Sequence, residues 1–180
     1  MKVIRTAIPD VLVFEPSVYS DERGFFMESF NAALFHELLA EHNVACPSPF
    51  VQDNHSCSKK GVLRGLHYQK QPYAQGKLVR VIKGAVYDVA VDIRPESPTY
   101  MKYVGERLDA SNKYMMWIPE GFAHGFVALE DDTHFLYKTT NYYDKSSEGT
   151  ILWSDPSLAI QWPDTGGYIV SAKDAEASSM

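Results

Sequence analysis

Tyr87-Asp88-Val89-Ala90-Val91-Asp92-Ile93-Arg94 alternates strictly. Tyr87, Val89, Val91 and Ile93 share one face of an extended chain, and Asp88, Ala90, Asp92 and Arg94 share the other. A period of two marks a β-strand. Gly84 separates this run from the apolar Lys77-Leu78-Val79-Arg80-Val81-Ile82-Lys83, and the two runs read as a hairpin. Further along, strands are expected near 104–109, 113–118, 124–129 and 133–140. Strands at short intervals with Gly and Pro turns favour a mainly β sandwich or barrel.

Toward the N-terminus, residues 1–20 read as short strands broken by Pro9-Asp10 and Pro16. Asp21-Glu22-Arg23-Gly24 is a turn signal ahead of the β-like Phe25-Phe26-Met27-Glu28-Ser29-Phe30. Asn31 suits a helix N-cap. After it, Leu34, Phe35, Leu38 and Leu39 fall on one helical face, and His36, Glu37, Glu41 and His42 are expected to face water. Pro47 and Pro49 are expected to end this helical region. No repeat, low-complexity tract or linker interrupts the chain, so one domain over residues 1–180 is expected. The tail from Lys173 is polar enough to fray, above all at 175–180, or to form a short helix.

Bulk composition narrows the class. At 45% apolar and 13% aromatic, 180 residues can build a sizeable core. A formal charge of −6 argues against nucleic-acid or membrane-surface binding, which needs a basic footprint. An anionic substrate would need local cations, and Arg23, Arg64 and Lys77 are candidates. Cys46 and Cys57 are too few for a disulfide framework and lack Cys-x-x-Cys spacing. Free thiols in a reducing compartment are the favoured reading. With no signal-type N-terminus and no spanning run, a soluble cytoplasmic protein is expected.

Several side chains carry chemistry worth weighing. His67 follows Gly65, where a bulge can re-aim a side chain that strict alternation would turn away from Arg64. It suits a general base, because imidazole titrates near working pH; a packed histidine bonded to a carbonyl is the plainer alternative. His124, in Pro119-Glu120-Gly121-Phe122-Ala123-His124-Gly125-Phe126, suits a contact to a carbonyl or phosphate, or a structural role. Lys77 opens an apolar strand; inside a barrel it would need a partner or a task such as enolate stabilisation, and at a strand mouth it would sit in water. Tyr137 shares a face with Phe135 and Thr139, as an acid donor or as core. Tyr142-Tyr143 offers a ring to a nucleobase or is a surface pair. Two histidines also raise a metal site, but zinc and iron sites usually use three or more protein ligands and no His-x-His pair occurs, so no metal is expected.

Taken together, these segments resemble the dTDP-4-dehydrorhamnose 3,5-epimerase family, a branch of the cupins, over roughly residues 2–175. The likeness runs through Asp21-Glu22-Arg23-Gly24-Phe25-Phe26, Gln52-Asp53-Asn54-His55-Ser56 and Val62-Leu63-Arg64-Gly65-Leu66-His67. It continues through Gln75-Gly76-Lys77-Leu78-Val79-Arg80, the 88–94 strand, Trp117 to Phe126, Leu136-Tyr137-Lys138 through Tyr142-Tyr143, Ser147-Glu148-Gly149 and Ser171-Ala172-Lys173-Asp174. Each stretch alone is weak; their order and spacing together are specific.

The resemblance implies a cupin-type jelly-roll barrel, a homodimer, no cofactor, and conversion of dTDP-4-dehydro-6-deoxy-D-glucose to dTDP-4-dehydro-L-rhamnose. It implies that His67 is the base, oriented by Asp174, and that Tyr137 is the acid on the other face of the sugar. Arg64, Lys77 and His124 would line the sugar and phosphate site, with Lys77 at the enolate oxygen. Arg23, Phe25, Glu28, Gln52, Asn54, Glu148 and Lys173 match nucleotide- or substrate-contacting positions, and Tyr143 matches a thymine-stacking ring. The Arg23 segment would serve the neighbouring subunit's site. The chain stops six residues after Asp174, which puts the anchoring of that carboxylate in question. The alternatives are an epimerase acting at one carbon, a metal-dependent cupin isomerase or dioxygenase, and a non-catalytic sugar-nucleotide binder.

Overall fold

The computed structural model describes residues 1–180 and is mainly β. Two sheets face each other. The first runs in the order β1 (Lys2–Arg5), β2 (Leu12–Glu15), β10 (Met115–Ile118), β7 (Lys77–Lys83), β12 (Thr133–Thr139), β5 (Gln52–Ser58). The second runs β13 (Glu148–Thr150), β6 (Val62–Gln69), β11 (Phe122–Ala128), β8 (Ala85–Asp92), β9 (Tyr103–Asp109), with β14 (Ile169–Val170) parallel to the start of β6. Successive strands switch sheets repeatedly, which is jelly-roll connectivity. A separate hairpin, β3 (Val18–Asp21) with β4 (Gly24–Met27), belongs to neither sheet.

Strand periodicity decides what lies between the sheets. Val13, Val79, Val81, Met116, Ile118 and Phe135 of the first sheet meet Val86, Ala90, Val104, Leu108, Phe122 and Phe126 of the second. Across the gap Phe126 and Phe135 stack with centroids 4.3 Å apart. The opposite side chains of the first sheet, Leu12, Phe14, Leu78, Met115 and Trp117, are covered by α1 (Ala32–Glu41). The outward face of the second sheet, with Leu66, Val89, Val91 and Ala123, lies under Ile151 and Leu158. Both faces of β8 are therefore buried, although its sequence alternates.

The helix forms where the sequence places it. Asn31 accepts from the Leu34 N–H as N-cap, and Phe35, Leu38 and Leu39 are buried. Its end is set differently from the expectation. The helix closes at Glu41, and His42 donates from Nδ1 to the Leu38 carbonyl at 2.8 Å. Asn43 then turns left-handed at φ 59°, before Pro47 and Pro49 are reached. His36 and His42 are half-buried, not water-facing.

The β7–β8 hairpin is not formed. β7 pairs with β10 and β12, and β8 pairs with β9 and β11. Gly84 is instead a corner between sheets, at φ +75°, where a Cβ would lie 2.3 Å from Thr133 Oγ1. Alternation identified both strands, but pairing depends on which sheet each joins, and that is a long-range matter. Residues 175–180 are tied to the body of the fold at two points: Leu152 N–H donates to the Ser178 carbonyl at 2.9 Å, and Met180 N–H to Asp155 Oδ2 at 2.7 Å, while Ala175 and Glu176 bond back locally to Ser171 and Ala172.

Phe35 is the hub of the outer cluster, with ring centroids 5.4 Å from Trp117 and 5.6 Å from both Phe14 and Phe50. Phe35→Ala should lower the unfolding free energy by about 3–5 kcal/mol. Urea denaturation checks this, and a loss below about 1 kcal/mol would mean that the ring does not hold α1 to the sheet.

Candidate active site

Ladder registers bring the candidate residues into one cavity of about 580 Å³ between the sheets. On the first sheet, Asn54 pairs with Tyr137 and Tyr137 with Val79; one step on, Gln52 pairs with Thr139 and Thr139 with Lys77. Directly opposed residues share a face, so Gln52, Asn54, Tyr137 and Lys77 all point inward. On the second sheet His67 is opposite His124, and Arg64 is opposite Phe126. Between those pairs β6 advances three residues and β11 two. This bulge at Gly65 cancels the alternation that would have separated Arg64 from His67. His67 and Tyr137 thus occupy opposite walls.

Asp174 is tied to the strand it serves. β14 pairs with Val62 and Leu63, and α2 (Ala172–Ala175) follows at once, with Ser171 accepting from the Asp174 N–H. The Asp174 carboxylate is buried, takes the His67 Nε2–H at 2.6 Å on Oδ1 and accepts from the Gly65 N–H at 3.3 Å on Oδ2. A carboxylate there can only accept, so the imidazole lone pair is left on Nδ1. Burial lowers the His67 pKa from its usual 6.5, against the opposing pull of Asp174. The ring is therefore neutral near pH 7, as a base must be.

Lys77 is buried, and its ammonium donates to the His67 carbonyl at 3.4 Å. Desolvation pushes its pKa down to about 8, resisted by the carboxylates of Asp88 and Glu148. Asp88 is fully buried; burial raises its pKa, against His124 and Lys77. One oxygen accepts from His124 Nε2 at 2.9 Å and the other has no hydrogen-bond partner. Burial raises the Tyr137 pKa, so the phenol keeps its proton.

At the mouth, Tyr143 donates to Glu148 Oε2 at 3.2 Å, and Lys173 is 2.5 Å from Glu148 Oε1. Gln52 accepts from the Tyr143 N–H at 3.1 Å and donates to Asn54 Oδ1 at 3.0 Å. The Tyr143 ring is exposed. Arg64 donates from Nε to Ser58 at 3.2 Å and leaves most of its guanidinium open to the cavity mouth.

Arg23, Phe25 and Glu28 are not brought to this cavity. They lie on or beside the β3–β4 hairpin, where Arg23 pairs with Asp21, Phe25 lies 4.6 Å from Lys113 Nζ, and Glu28 accepts from Asn31. Asp88, Ser56, Gln75, Phe126 and Phe135 line or support the cavity without having been selected from the sequence. Ser56 was legible, since it keeps phase with Gln52 and Asn54 on β5. Asp88 gave no such signal, because its run alternates like a strand with one face in water.

A base, a protonated phenol on the opposite wall and a buried ammonium suit removal of a proton beside a carbonyl and its return on the other face.

Comparison with known proteins gives the same direction. Residues 5–180 match the family model of dTDP-4-dehydrorhamnose 3,5-epimerase. The chain is 62% identical to the dTDP-4-dehydrorhamnose 3,5-epimerase of Shigella flexneri, over 91% of this chain and 87% of that one. It is 59% identical to that of Salmonella typhimurium, covering 98% and 94%. Among solved structures, it superposes with TM-score 0.94 and 51% identity on the dTDP-6-deoxy-D-glucose-3,5-epimerase of Legionella pneumophila in complex with dTDP-4-keto-L-rhamnose, covering 99% and 92%.

Because Asp174 holds the His67 pKa up against burial, Asp174→Asn should move the imidazole titration to lower pH. NMR titration of the ring checks it; an unchanged or higher pKa would refute the coupling.

Proposed function

The chain belongs to the dTDP-4-dehydrorhamnose 3,5-epimerase family, and on that footing we propose that its cavity inverts C3 and C5 of dTDP-4-dehydro-6-deoxy-D-glucose to give dTDP-4-dehydro-L-rhamnose. The observation that carries this reading is the pairing of His67–Asp174 on one wall with Tyr137 on the other, beside a buried Lys77.

C3 and C5 both lie next to the C4 ketone, so removal of either proton gives an enolate. His67 takes the C–H proton at Nδ1, and the bond's electrons move onto the ketone oxygen. The Lys77 ammonium stabilises that oxyanion, worth about 3–4 kcal/mol for one donor in a dry site. Tyr137 then delivers a proton to the same carbon from the opposite face, and the enolate collapses to the ketone. Imidazolium and phenolate return to their starting states by exchange with solvent. One proton leaves, one arrives, and configuration inverts. A shift or flip of the ring brings the second carbon to the same pair.

The nucleotide end follows from the mouth. Tyr143 offers its exposed ring to thymine, and Arg64 and His124 with Gln52, Asn54, Glu148 and Lys173 receive the diphosphate and sugar. Guanidinium suits phosphate oxygens bidentately, which explains cations at the cavity of an acidic chain. Arg23, Phe25 and Glu28 complete the neighbouring subunit's pocket in a homodimer. The β3–β4 hairpin supports this, because Tyr19, Phe25 and Phe26 are exposed on an element that joins neither sheet. β5, with Gln52 and Asn54, is an open edge strand beside the cavity, and such edges are normally covered. No helix is long and apolar enough to cross a membrane. A cytoplasmic location suits the two free cysteines.

Turnover of the 4-keto-6-deoxy nucleotide sugar in D2O, followed by proton NMR, should place deuterium at both C3 and C5. Label at C3 alone would leave only the one-carbon reaction. His67→Ala should abolish turnover while dTDP affinity stays within a few-fold, whereas Tyr137→Phe should lose about 10²–10⁴-fold in inversion and keep some solvent exchange. Full rate in His67→Ala would end the catalytic reading.

Lys77 bears a charge below its pKa of about 8 and loses it above. The kcat/KM profile should therefore fall as pH rises through about 8, and Lys77→Arg, which keeps its charge, should lack that alkaline limb. A Lys77→Arg profile that retains the same limb would assign it to another group.

A further inference from the structure

Outside the cavity, one cluster of metal-ligating side chains has no part in this chemistry. It lies on the outward face of the first sheet, three pairs along the β5–β12 ladder from Asn54–Tyr137, where Cys57 is opposite His134. Asp132 precedes β12 in a left-handed turn (φ 52°), which brings its carboxylate back over that pair. Cys57 Sγ lies 3.2 Å from Asp132 Oδ1, and His134 Nε2 lies 3.3 Å from the same oxygen. One ligand atom from each residue falls within 4.8 Å of the others. A tetrahedral zinc ion with Zn–S about 2.3 Å and Zn–N and Zn–O about 2.0–2.2 Å holds its ligand atoms roughly 3.3–3.7 Å apart. The two distances to Asp132 Oδ1 are close to that spacing before any ion is considered.

A second observation concerns orientation. His55, on the same face of β5 as Cys57, lies with Nε2 2.9 Å from His134 Nδ1. If His55 accepts there, His134 carries its proton on Nδ1 and presents a lone pair at Nε2, the nitrogen that faces Asp132 and Cys57. Metal-binding histidines are commonly held through their other ring nitrogen in this way. Lys83 occupies the remote oxygen, Asp132 Oδ2, and leaves Oδ1 to the cluster. Lys83 and Asp132 are exposed, so the pair is a weak competitor.

We propose that Cys57, Asp132 and His134 bind one Zn²⁺ ion on the outer face of the barrel, with His55 positioning His134 and solvent at the fourth coordination position. Thiolate and imidazole with one carboxylate are a donor set that suits zinc among the divalent ions. On binding, the Cys57 thiol proton passes to solvent and the ion takes the place between sulfur, nitrogen and oxygen. The site clamps the edge strand β5 to β12 and to the turn before it. It faces away from the cavity, so it is independent of the epimerase reading.

The test uses the full-length protein after chelation and dialysis. Zn²⁺ titration by calorimetry should give one site per chain, and Co²⁺ should give a thiolate-to-metal charge-transfer band. Cys57→Ser should remove the band and weaken Zn²⁺ binding at least tenfold, with turnover unchanged. His55→Ala should keep the band and weaken binding roughly 10–100-fold. Cys46→Ser should match the native protein. Absence of saturable Zn²⁺ binding, a band that survives in Cys57→Ser, or a band lost in Cys46→Ser would each overturn the proposal.

Discussion

The cavity depends on the close approach of β6 and β11 at two facing glycines. A Cβ on Gly65 would lie 2.5 Å from Gly125 Cα, and one on Gly125 would lie 2.7 Å from the Arg64 carbonyl oxygen. Gly65 also has φ +132°, which other residues rarely adopt. These two positions let β6 take its extra residue without pushing β11 away. The bulge then turns both Arg64 and His67 inward. It also aims the Gly65 N–H at Asp174, so the carboxylate bonded to His67 is held by the same backbone irregularity that turns His67 inward. Without the bulge, His67 would face the outer layer with Leu66's neighbours, and Asp174 would have nothing to orient.

The second constraint is electrostatic. Lys77 is placed where desolvation opposes its charge, and its pKa falls from 10.5 to about 8. That depression corresponds to a cost on the order of 3 kcal/mol in the folded state near neutral pH. The cost is full below pH 8 and fades as the folded lysine deprotonates, because the unfolded chain then binds more protons. Asp88 bears the complementary cost, with its pKa raised by burial and one oxygen unpartnered. A barrel built for stability alone would fill these positions with apolar side chains, as it does at Val79 and Ala90 beside them. Stability alone thus gives no reason for the buried lysine and aspartate, whereas the proposed enolate chemistry gives one for Lys77.

Local chemistry was legible and long-range pairing was not. Alternation in 87–94, the Asn31 cap and the Asp21–Gly24 turn each report on neighbours along the chain, and a strand over Ala85–Asp92, the helix and the hairpin are present. The Gly65 bulge was legible because a glycine stood between two chemically matched side chains of opposite parity. The Gly84 corner was misread as a hairpin turn, since a glycine at positive φ serves either purpose and only the partners of β7 and β8 distinguish them. Asp88 escaped notice as a site residue because its run looks amphipathic, while the structure buries both faces. Cys57 was judged against Cys-x-x-Cys spacing, but on a strand the relevant spacing is i, i+2. His55 and Cys57 on one strand, with Asp132 and His134 before and on its neighbour, satisfy it.

The edge of the first sheet ties these threads together. β5 presents Gln52, Asn54 and Ser56 to the cavity and Asp53, His55 and Cys57 to the outside. Neither row is apolar, so this open edge is a poor template for indiscriminate pairing. The apolar surface needed to cover it is carried elsewhere, on the β3–β4 hairpin with Phe25 and Phe26 exposed. That division of labour favours a specific partner over general aggregation. A second copy that seated this hairpin on β5 would bring Arg23 and two exposed aromatic rings to an edge whose inner row lines the cavity. In the homodimer proposed above, the association that protects the edge would also complete the pocket, linking cavity and quaternary structure through one strand.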